Sequence, residues 1–123
     1  MRFLLLIKAN DESERTIVPS TQATAEMGKF NEELVRAGVL LAADGLLPSS
    51  RGARVKLFGD RRTVTDGPFT ESKELVAGFC VIEVKSKEEA VEWAKRCPNP
   101  RGAGDAEIEV RQVFDSADPI SLP

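Results

Sequence analysis

The order of apolar and polar positions along the chain predicts strands alternating with helices. Residues 2–8 form a continuous apolar run, as expected of a strand that is covered on both faces. A polar loop is expected over residues 10–20, with Ser20 or Thr21 as the N-cap of a following helix. Apolar side chains at three- and four-residue steps define that helix, namely Ala23, Met27, Phe30 and Leu34. Gly38 then stands where glycine commonly ends a helix.

The second half of the chain repeats this pattern with more strands. A second helix is predicted over residues 87–97, because Ser86 and Glu89 form a capping box before it and Pro98 ends it. Apolar or alternating segments predict strands at 39–47, 53–59, 61–65, 77–84 and 106–114. The resulting order, β-α-β, a β-hairpin, then β-α-β, predicts an α+β fold, a ferredoxin-like two-layer sandwich with an added hairpin.

The length of 123 residues fits one domain. We expect a core over about residues 1–114 and an extended C-terminal tail over 115–123, either mobile or docked on a neighbour.

Apolar side chains on both faces of the inner strands predict self-association. In the strand at 77–84, Phe79 and Val81 point one way, whereas Cys80, Ile82 and Val84 point the other. Two helices cover only one face of such a sheet, and an apolar surface of this size is rarely left in water. We therefore expect a homodimer in which the uncovered faces of two sheets pack together.

Composition limits the possible partners. The chain has 17 Lys and Arg against 20 Asp and Glu, so no overall positive field attracts nucleic acid. The apolar start is too short for a signal peptide or a membrane span. Two cysteines cannot form a disulfide framework, so we expect reduced thiols in a cytoplasmic protein. Residues 51–62 carry five basic side chains and one acid, which fits a solvated hairpin edge or an anion-binding rim.

Four segments of the sequence carry a resemblance to a known family. They read VTDGPFTESKELVAGFCVIEV, EEAVEWAKRCP, EIEVR and, upstream, FNEELVRAGVLLAADGL. Over residues 1–114 the chain resembles the DGPF-type members of the YCII-related family, whose biochemical function is not established. The resemblance implies a ferredoxin-like subunit paired into a dimeric α/β barrel. Two positions depart from the family pattern: Gln112 replaces a common proline, and Asp44 stands where glutamate is frequent.

The resemblance brings no catalytic residues with it. The wider family is associated with a His–Asp pair, and this chain contains no histidine. That pair cannot be transferred, so whether the protein is an enzyme stays open. No spacing of cysteine, or of acidic residues, matches a metal site, and we expect neither metal nor cofactor.

Six polar residues are candidates for binding or chemistry. The loop that begins at Asp66-Gly67-Pro68-Phe69, here called the DGPF loop, allows two interpretations. In one, the Asp66 carboxylate builds the turn and Phe69 fills the core. In the other, Asp66 acts as hydrogen-bond acceptor or general base at the mouth of a cleft, beside Glu71, and Lys73 anchors an anion. Glu109 and Arg111 share one face of the last strand. They are either solvated or line the cleft, where Arg111 can hold a carboxylate or phosphate. Asp44, which ends the second strand, is a loop cap or another cleft carboxylate.

Two functional hypotheses follow from these candidates. In the first, the homodimer binds a small anionic organic molecule in a cleft, with or without catalysis by carboxylates. In the second, it is a structural or protein-interaction module whose DGPF loop is purely architectural.

Overall fold

The computed structural model describes residues 1–15, 21–71, 74–99 and 105–117. Within these ranges the secondary structure comprises β1 (Arg2–Lys8), α1 (Asp11–Arg15), α2 (Thr21–Arg36), β2 (Leu40–Gly45), a 3-10 turn (Ser49–Arg51), β3 (Ala53–Phe58), β4 (Arg61–Asp66), β5 (Val76–Glu83), α3 (Lys87–Arg96) and β6 (Ile108–Gln112). This order confirms the predicted ferredoxin-like α+β fold with an added hairpin. Ser20 and residues 118–123 of the expected tail lie outside the described residues. No helix in the described ranges is long and apolar enough to cross a membrane.

One expectation about the first connection was wrong. Residues 11–15, predicted as part of a loop, form the short helix α1. Asn10 explains its start, because its side-chain oxygen accepts the Ser13 N–H at 2.8 Å while the Ser13 hydroxyl oxygen accepts the Asn10 N–H at 2.9 Å. This reciprocal cap satisfies two backbone donors that would otherwise lack partners.

The main sheet has four antiparallel strands in the order β2-β5-β1-β6. In the centre, Leu5 of β1 lies opposite Cys80 of β5 and Val110 of β6. Side chains alternate along each strand, so this register places Leu5, Cys80 and Val110 on the same face. The outer strands β2 and β6 are the edges of the sheet.

The hydrophobic core lies between one face of this sheet and the helices α2 and α3. Its buried side chains are Phe3, Leu5, Phe30, Leu34, Cys80, Ile82, Val84 and Ala90. Phe30 of α2 meets Trp93 of α3 edge to face, with 6.5 Å between ring centroids. The apolar stripe predicted for the first helix therefore faces the sheet, and Trp93 of α3 packs against the same core.

The ends of the helices confirm two local predictions. Gly38 has a φ of 73° and its N–H donates to the Val35 carbonyl, while Val39 N–H donates to the Leu34 carbonyl. These two bonds form a Schellman motif, whose left-handed residue is usually glycine. At α3, the Ser86 hydroxyl accepts the Glu89 N–H at 3.1 Å. The Glu89 carboxylate accepts the N–H of Lys85, one residue before the cap.

The opposite face of the sheet, here called the open face, has an apolar centre and a charged margin. The central side chains are half-buried in the single chain: Leu4, Leu6, Phe79 and Val81. The same register places charged side chains around them: Arg2, Asp44, Glu83, Glu109 and Arg111. An apolar centre inside a polar rim is the usual anatomy of a protein interface.

The strands β3 and β4 form a separate two-stranded sheet, here called the hairpin. Every residue of its two strands is exposed. Gly59 opens the turn with a φ of 57°, a conformation that glycine adopts without steric cost. Val55 pairs with Val64, so the hairpin has an apolar face that also includes Leu57. The predicted alternation with Arg54 and Lys56 on the other face is confirmed by this register.

Candidate functional site

Three of the predicted site residues lie on the open face, at opposite edges of the sheet. One row of paired residues crosses the sheet from edge to edge. It runs from Asp44 of β2 through Phe79 of β5 and Leu6 of β1 to Glu109 of β6. Neighbouring strands are separated by about 4.8 Å, so the backbone positions of Asp44 and Glu109 lie roughly 14 Å apart across the apolar centre. The open face thus presents an apolar floor with an acidic group at each side.

Arg111 is the cation beside this floor. Its Nη1 donates to Glu109 Oε2 at 3.0 Å, and 69% of its side chain is exposed. In the register of the sheet Arg111 is opposite Leu4. A guanidinium has five N–H donors in one plane, and Glu109 receives one of them here. The remaining donors are suited to a planar anion lying on the apolar floor.

The DGPF loop is attached to the rest of the chain by backbone contacts. The Gly67 N–H donates to the Gly52 carbonyl at 3.0 Å. A Cβ on Gly67 would lie 1.8 Å from the carbonyl oxygen of Ser49, so only glycine fits this close approach. The Phe69 N–H donates to the Ser49 hydroxyl oxygen at 3.0 Å. The loop is therefore held against the 3-10 turn.

Ser49 is in turn held by Glu14 of α1. The Ser49 N–H donates to Glu14 Oε2 at 2.9 Å, and the Ser49 hydroxyl donates to Glu14 Oε1. One serine thereby connects α1, the 3-10 turn and the DGPF loop. Sequence reasoning did not identify Ser49 or Glu14, because the partners are 20 and 35 residues from Ser49 and no local pattern marks them.

Within the described residues, the Asp66 side chain makes no contact that would build the turn. It is exposed, and no hydrogen bond or ion pair to it occurs among the residues that the structure describes. The geometry therefore does not support the alternative in which the Asp66 carboxylate builds the turn. The side-chain oxygen that holds the loop belongs to Ser49. The turn-building alternative also placed Phe69 in the core, and the structure contradicts that placement. Phe69 is half-buried and lies under the Arg54 guanidinium, 3.8 Å from ring centroid to Cζ.

The other loop candidates are not brought into one cluster by this structure. Glu71 is exposed, and its carbonyl accepts the Glu74 N–H at 3.0 Å. Lys73 lies outside the described residues. In the described part of the chain no three Cys, Asp or Glu side chains approach closely enough to hold a metal ion.

A groove of about 440 Å³ lies between α3 and β6, on the helix side of the sheet. Apolar side chains line most of it, including Val91, Ala94, Ile108 and Val110. Cys97 also lines it, but burial and the nearby Cys80 raise the pKa of the Cys97 thiol to about 12. Burial raises the pKa of Cys80 as well. Both cysteines are therefore protonated at neutral pH and unsuited to act as nucleophiles.

The sheet order, the helices on one face and the charged margin of the other define a small ferredoxin-like α+β protein. Residues 1–116 match the YCII-related domain, and the protein therefore belongs to the YCII-related family.

The proteins similar to it include an uncharacterized bacterial protein and a solved enzyme structure. An uncharacterized protein of Rhizobium meliloti (strain 1021) is 31% identical over 74 residues, and the match covers 60% of this chain and 60% of that protein. The other is a solved structure, the 5-chloro-2-hydroxyhydroquinone dehydrochlorinase from Burkholderia phenoliruptrix AC1100 in complex with 2,5-dihydroxybenzoquinone. It matches with a TM-score of 0.54 and 17% identity, over 93% of this chain and 94% of its own. At this identity the similarity establishes the fold alone.

Replacing Ser49 tests how the DGPF loop is held. We expect Ser49→Ala to lower the free energy of unfolding by about 1–3 kcal/mol, because the Phe69 N–H and the Glu14 carboxylate lose their shared partner. Ser50→Ala is the matched control, since Ser50 is exposed in the same turn and should change stability by less than about 0.5 kcal/mol. Urea denaturation measures both. Equal losses in the two variants would show that Ser49 does not hold the loop.

The raised pKa of Cys97 predicts slow alkylation of the native protein. At pH 8 a thiol with a pKa of about 12 has a thiolate fraction of about 1 in 10⁴. Even with the higher intrinsic reactivity of a basic thiolate, we expect iodoacetamide to react at least about 50-fold more slowly than with free cysteine. The same protein in urea is the control and should react at the ordinary rate. Native labelling at that rate would contradict the burial of this thiol.

The same raised pKa has a consequence for stability. A thiol whose pKa is higher in the folded state stabilises the fold fully below its unfolded-state pKa. This stabilisation decreases as the pH rises above the ordinary value of 9.0 towards about 12.

Proposed function

We propose that the protein is a homodimer, packed open face to open face, that binds a small organic anion in the cleft between the two sheets. The observation that carries this proposal is the composition of the open face, on which Arg111 stands beside four half-buried apolar side chains. A second copy would cover the apolar centre, which water solvates poorly. A twofold axis would bring the same surface from both subunits together, as in a dimeric α/β barrel.

The residues of the open face have separate roles in the proposed site. Arg111 holds the anionic group, and Glu109 orients the guanidinium through their 3.0 Å contact. Asp44 accepts a hydrogen bond from a hydroxyl group on the far side of the ligand. Leu6 and Phe79, which lie between the two edges in the register, contact the ring or chain of the ligand. The dihydroxybenzoquinone bound by the structural neighbour has this chemistry, a flat ring with acidic hydroxyl groups.

Further parts of the proposal concern the subfamily, the compartment and the reaction. The residues Asp66-Gly67-Pro68-Phe69 support membership of the DGPF-type subfamily. Two free cysteines, Cys80 and Cys97, favour a reducing compartment such as the cytoplasm. Without histidine, any proton transfer falls to the carboxylates, with Asp66 as the candidate general base. Binding without catalysis is equally compatible with the site.

A non-enzymatic interaction module is the alternative. The backbone contacts of Gly67 and Phe69 with the 3-10 turn favour an architectural DGPF loop. An architectural loop is compatible with both functions, so the difference between them lies at the open face. In a ligand cleft Arg111 stays accessible to an anion, whereas in an interaction module a partner protein covers Arg111.

The homodimer predicts a specific response to a charge at the centre of the open face. We expect the wild-type protein to sediment at twice 13.4 kDa and Val81→Asp to sediment as a folded monomer. Val81 points away from the helices, so the new carboxylate is solvated in the monomer but buried without a partner in the dimer. Val35→Asp on the exposed surface of α2 is the matched control and should remain dimeric. A monomeric wild-type protein at micromolar concentration contradicts the proposal.

The ligand site predicts a specific role for Arg111. With 2,5-dihydroxybenzoquinone as probe, we expect calorimetry to show binding that Arg111→Gln weakens by about 10- to 100-fold, the usual range for losing a charge-assisted hydrogen bond. Arg36→Gln removes a similarly exposed arginine from α2, where it pairs with Glu32, and should leave binding unchanged. If the wild-type protein binds no organic anion, or if both variants bind equally, the interaction module is the better account.

A further inference from the structure

Lys8, the last residue of β1, adds to the open face a cation that the proposed site does not use. The residues on either side of it, Ile7 and Ala9, are 8% and 6% exposed and point towards the core. Because side chains alternate along a strand, Lys8 lies on the other face, in line with Leu4 and Leu6. Lys8 is half-buried in the single chain, although lysine is among the most exposed residue types. A positive charge is therefore held partly out of water at the end of the apolar floor.

The Lys8 ammonium has no partner among the residues that the structure describes. It carries three N–H donors, and no hydrogen bond or ion pair of any of them occurs in this part of the chain. The residue opposite Lys8 on β5 is the neutral Val76. On the β6 side, the Glu107 carbonyl accepts the Lys8 backbone N–H at 3.0 Å, but the Glu107 side chain is exposed and forms no ion pair with the ammonium. The three donors thus remain available to a ligand.

Lys8 differs in this respect from the two arginines of the open face. Arg2 lies 3.8 Å from an Asp115 carboxylate oxygen, and Arg111 donates to Glu109 at 3.0 Å. Each arginine therefore already has a carboxylate partner, whereas Lys8 has none within the described ranges.

The register places Lys8 and Arg111 at two ends of the same apolar surface. Arg111 is opposite Leu4, and Lys8 follows four residues later on β1, so about 13 Å along the strand separate the two positions. Leu6 lies between them. Glu109 is opposite Leu6, so its 3.0 Å contact with Arg111 holds the guanidinium on the side towards Lys8. Both cationic side chains are long enough to converge on a small molecule above Leu6.

We propose that Lys8 and Arg111 together bind the two acidic groups of one ligand, so that the site selects organic dianions over monoanions. This inference rests on the proposed function and names the class of ligand for the same site. Two cations at opposite ends of an apolar floor complement a flat molecule with an acidic group at each end, whereas a monoanion leaves one cation unpaired. In the proposed dimer the second sheet removes more water from Lys8, and an ammonium without water requires an acceptor.

Calorimetry with 2,5-dihydroxybenzoquinone, which has two acidic hydroxyl groups on opposite sides of its ring, tests the role of Lys8. We expect Lys8→Gln to weaken binding by about tenfold or more, because the ligand loses a charge-assisted hydrogen bond, and Lys8→Arg to keep most of the affinity. Lys29→Gln is the matched control and should bind as the wild type does, since Lys29 is exposed on α2, on the helix side of the sheet. Circular dichroism verifies that each variant is folded.

A probe with a single acidic group separates a dianion site from a general attraction of anions. In 2-hydroxy-5-methoxybenzoquinone one hydroxyl group is methylated, so one charge is lost while the ring is kept. We expect the wild-type protein to bind this probe about tenfold more weakly, and Lys8→Gln to change its affinity by less than about threefold. The loss caused by Lys8→Gln thus depends on the second acidic group of the ligand.

The outcomes distinguish this inference from the proposed function. If Arg111→Gln weakens the binding of 2,5-dihydroxybenzoquinone but Lys8→Gln does not, or if Lys8→Gln weakens both probes equally, the role of Lys8 is overturned and the proposed anion site stands. A weaker dimer of Lys8→Gln in sedimentation, with ligand binding unchanged, would mean that Lys8 pairs with the second subunit and not with the ligand. If the wild-type protein binds neither probe, both proposals are overturned.

Discussion

The antiparallel pairing of β1 with β5 is the contact on which the rest of the structure depends. It places Leu5 opposite Cys80 on the core face and Leu6 opposite Phe79 on the open face. Because the side chains of a strand alternate, a slip of one residue would exchange the two faces and expose the core. This single register therefore fixes both the surface that the helices bury and the surface left for a partner.

The candidate site follows from the edges of the same sheet. β2 and β6 are the outer strands, and they place Asp44 and Arg111 at opposite margins of the apolar centre. Separated in this way, the charged side chains stay solvated and do not disturb the core. The site thus combines an apolar floor with polar ends, which is the usual composition of small-molecule sites.

Ser49 shows how one side chain holds several segments of the chain together. The serine holds the DGPF loop through the Phe69 N–H and is itself held by Glu14. Gly67 follows directly after β4 and packs on Ser49, so the same contacts hold the base of the hairpin. The acidic residue of the loop, Asp66, is exposed, and the loop is held by Gly67 and by the remote Ser49.

Apart from the short helix α1, the sequence by itself determined the order of elements, the two faces of each strand and the local caps. These depend on residues a few positions apart, as in the left-handed Gly38 or the Ser86–Glu89 cap. The tertiary structure alone decided which strands are edges, how far Asp44 lies from Glu109, and that Ser49 rather than Asp66 holds the loop. Such contacts join residues far apart in the chain, and they form only once the strands have paired and the helices have packed, so no local pattern encodes them.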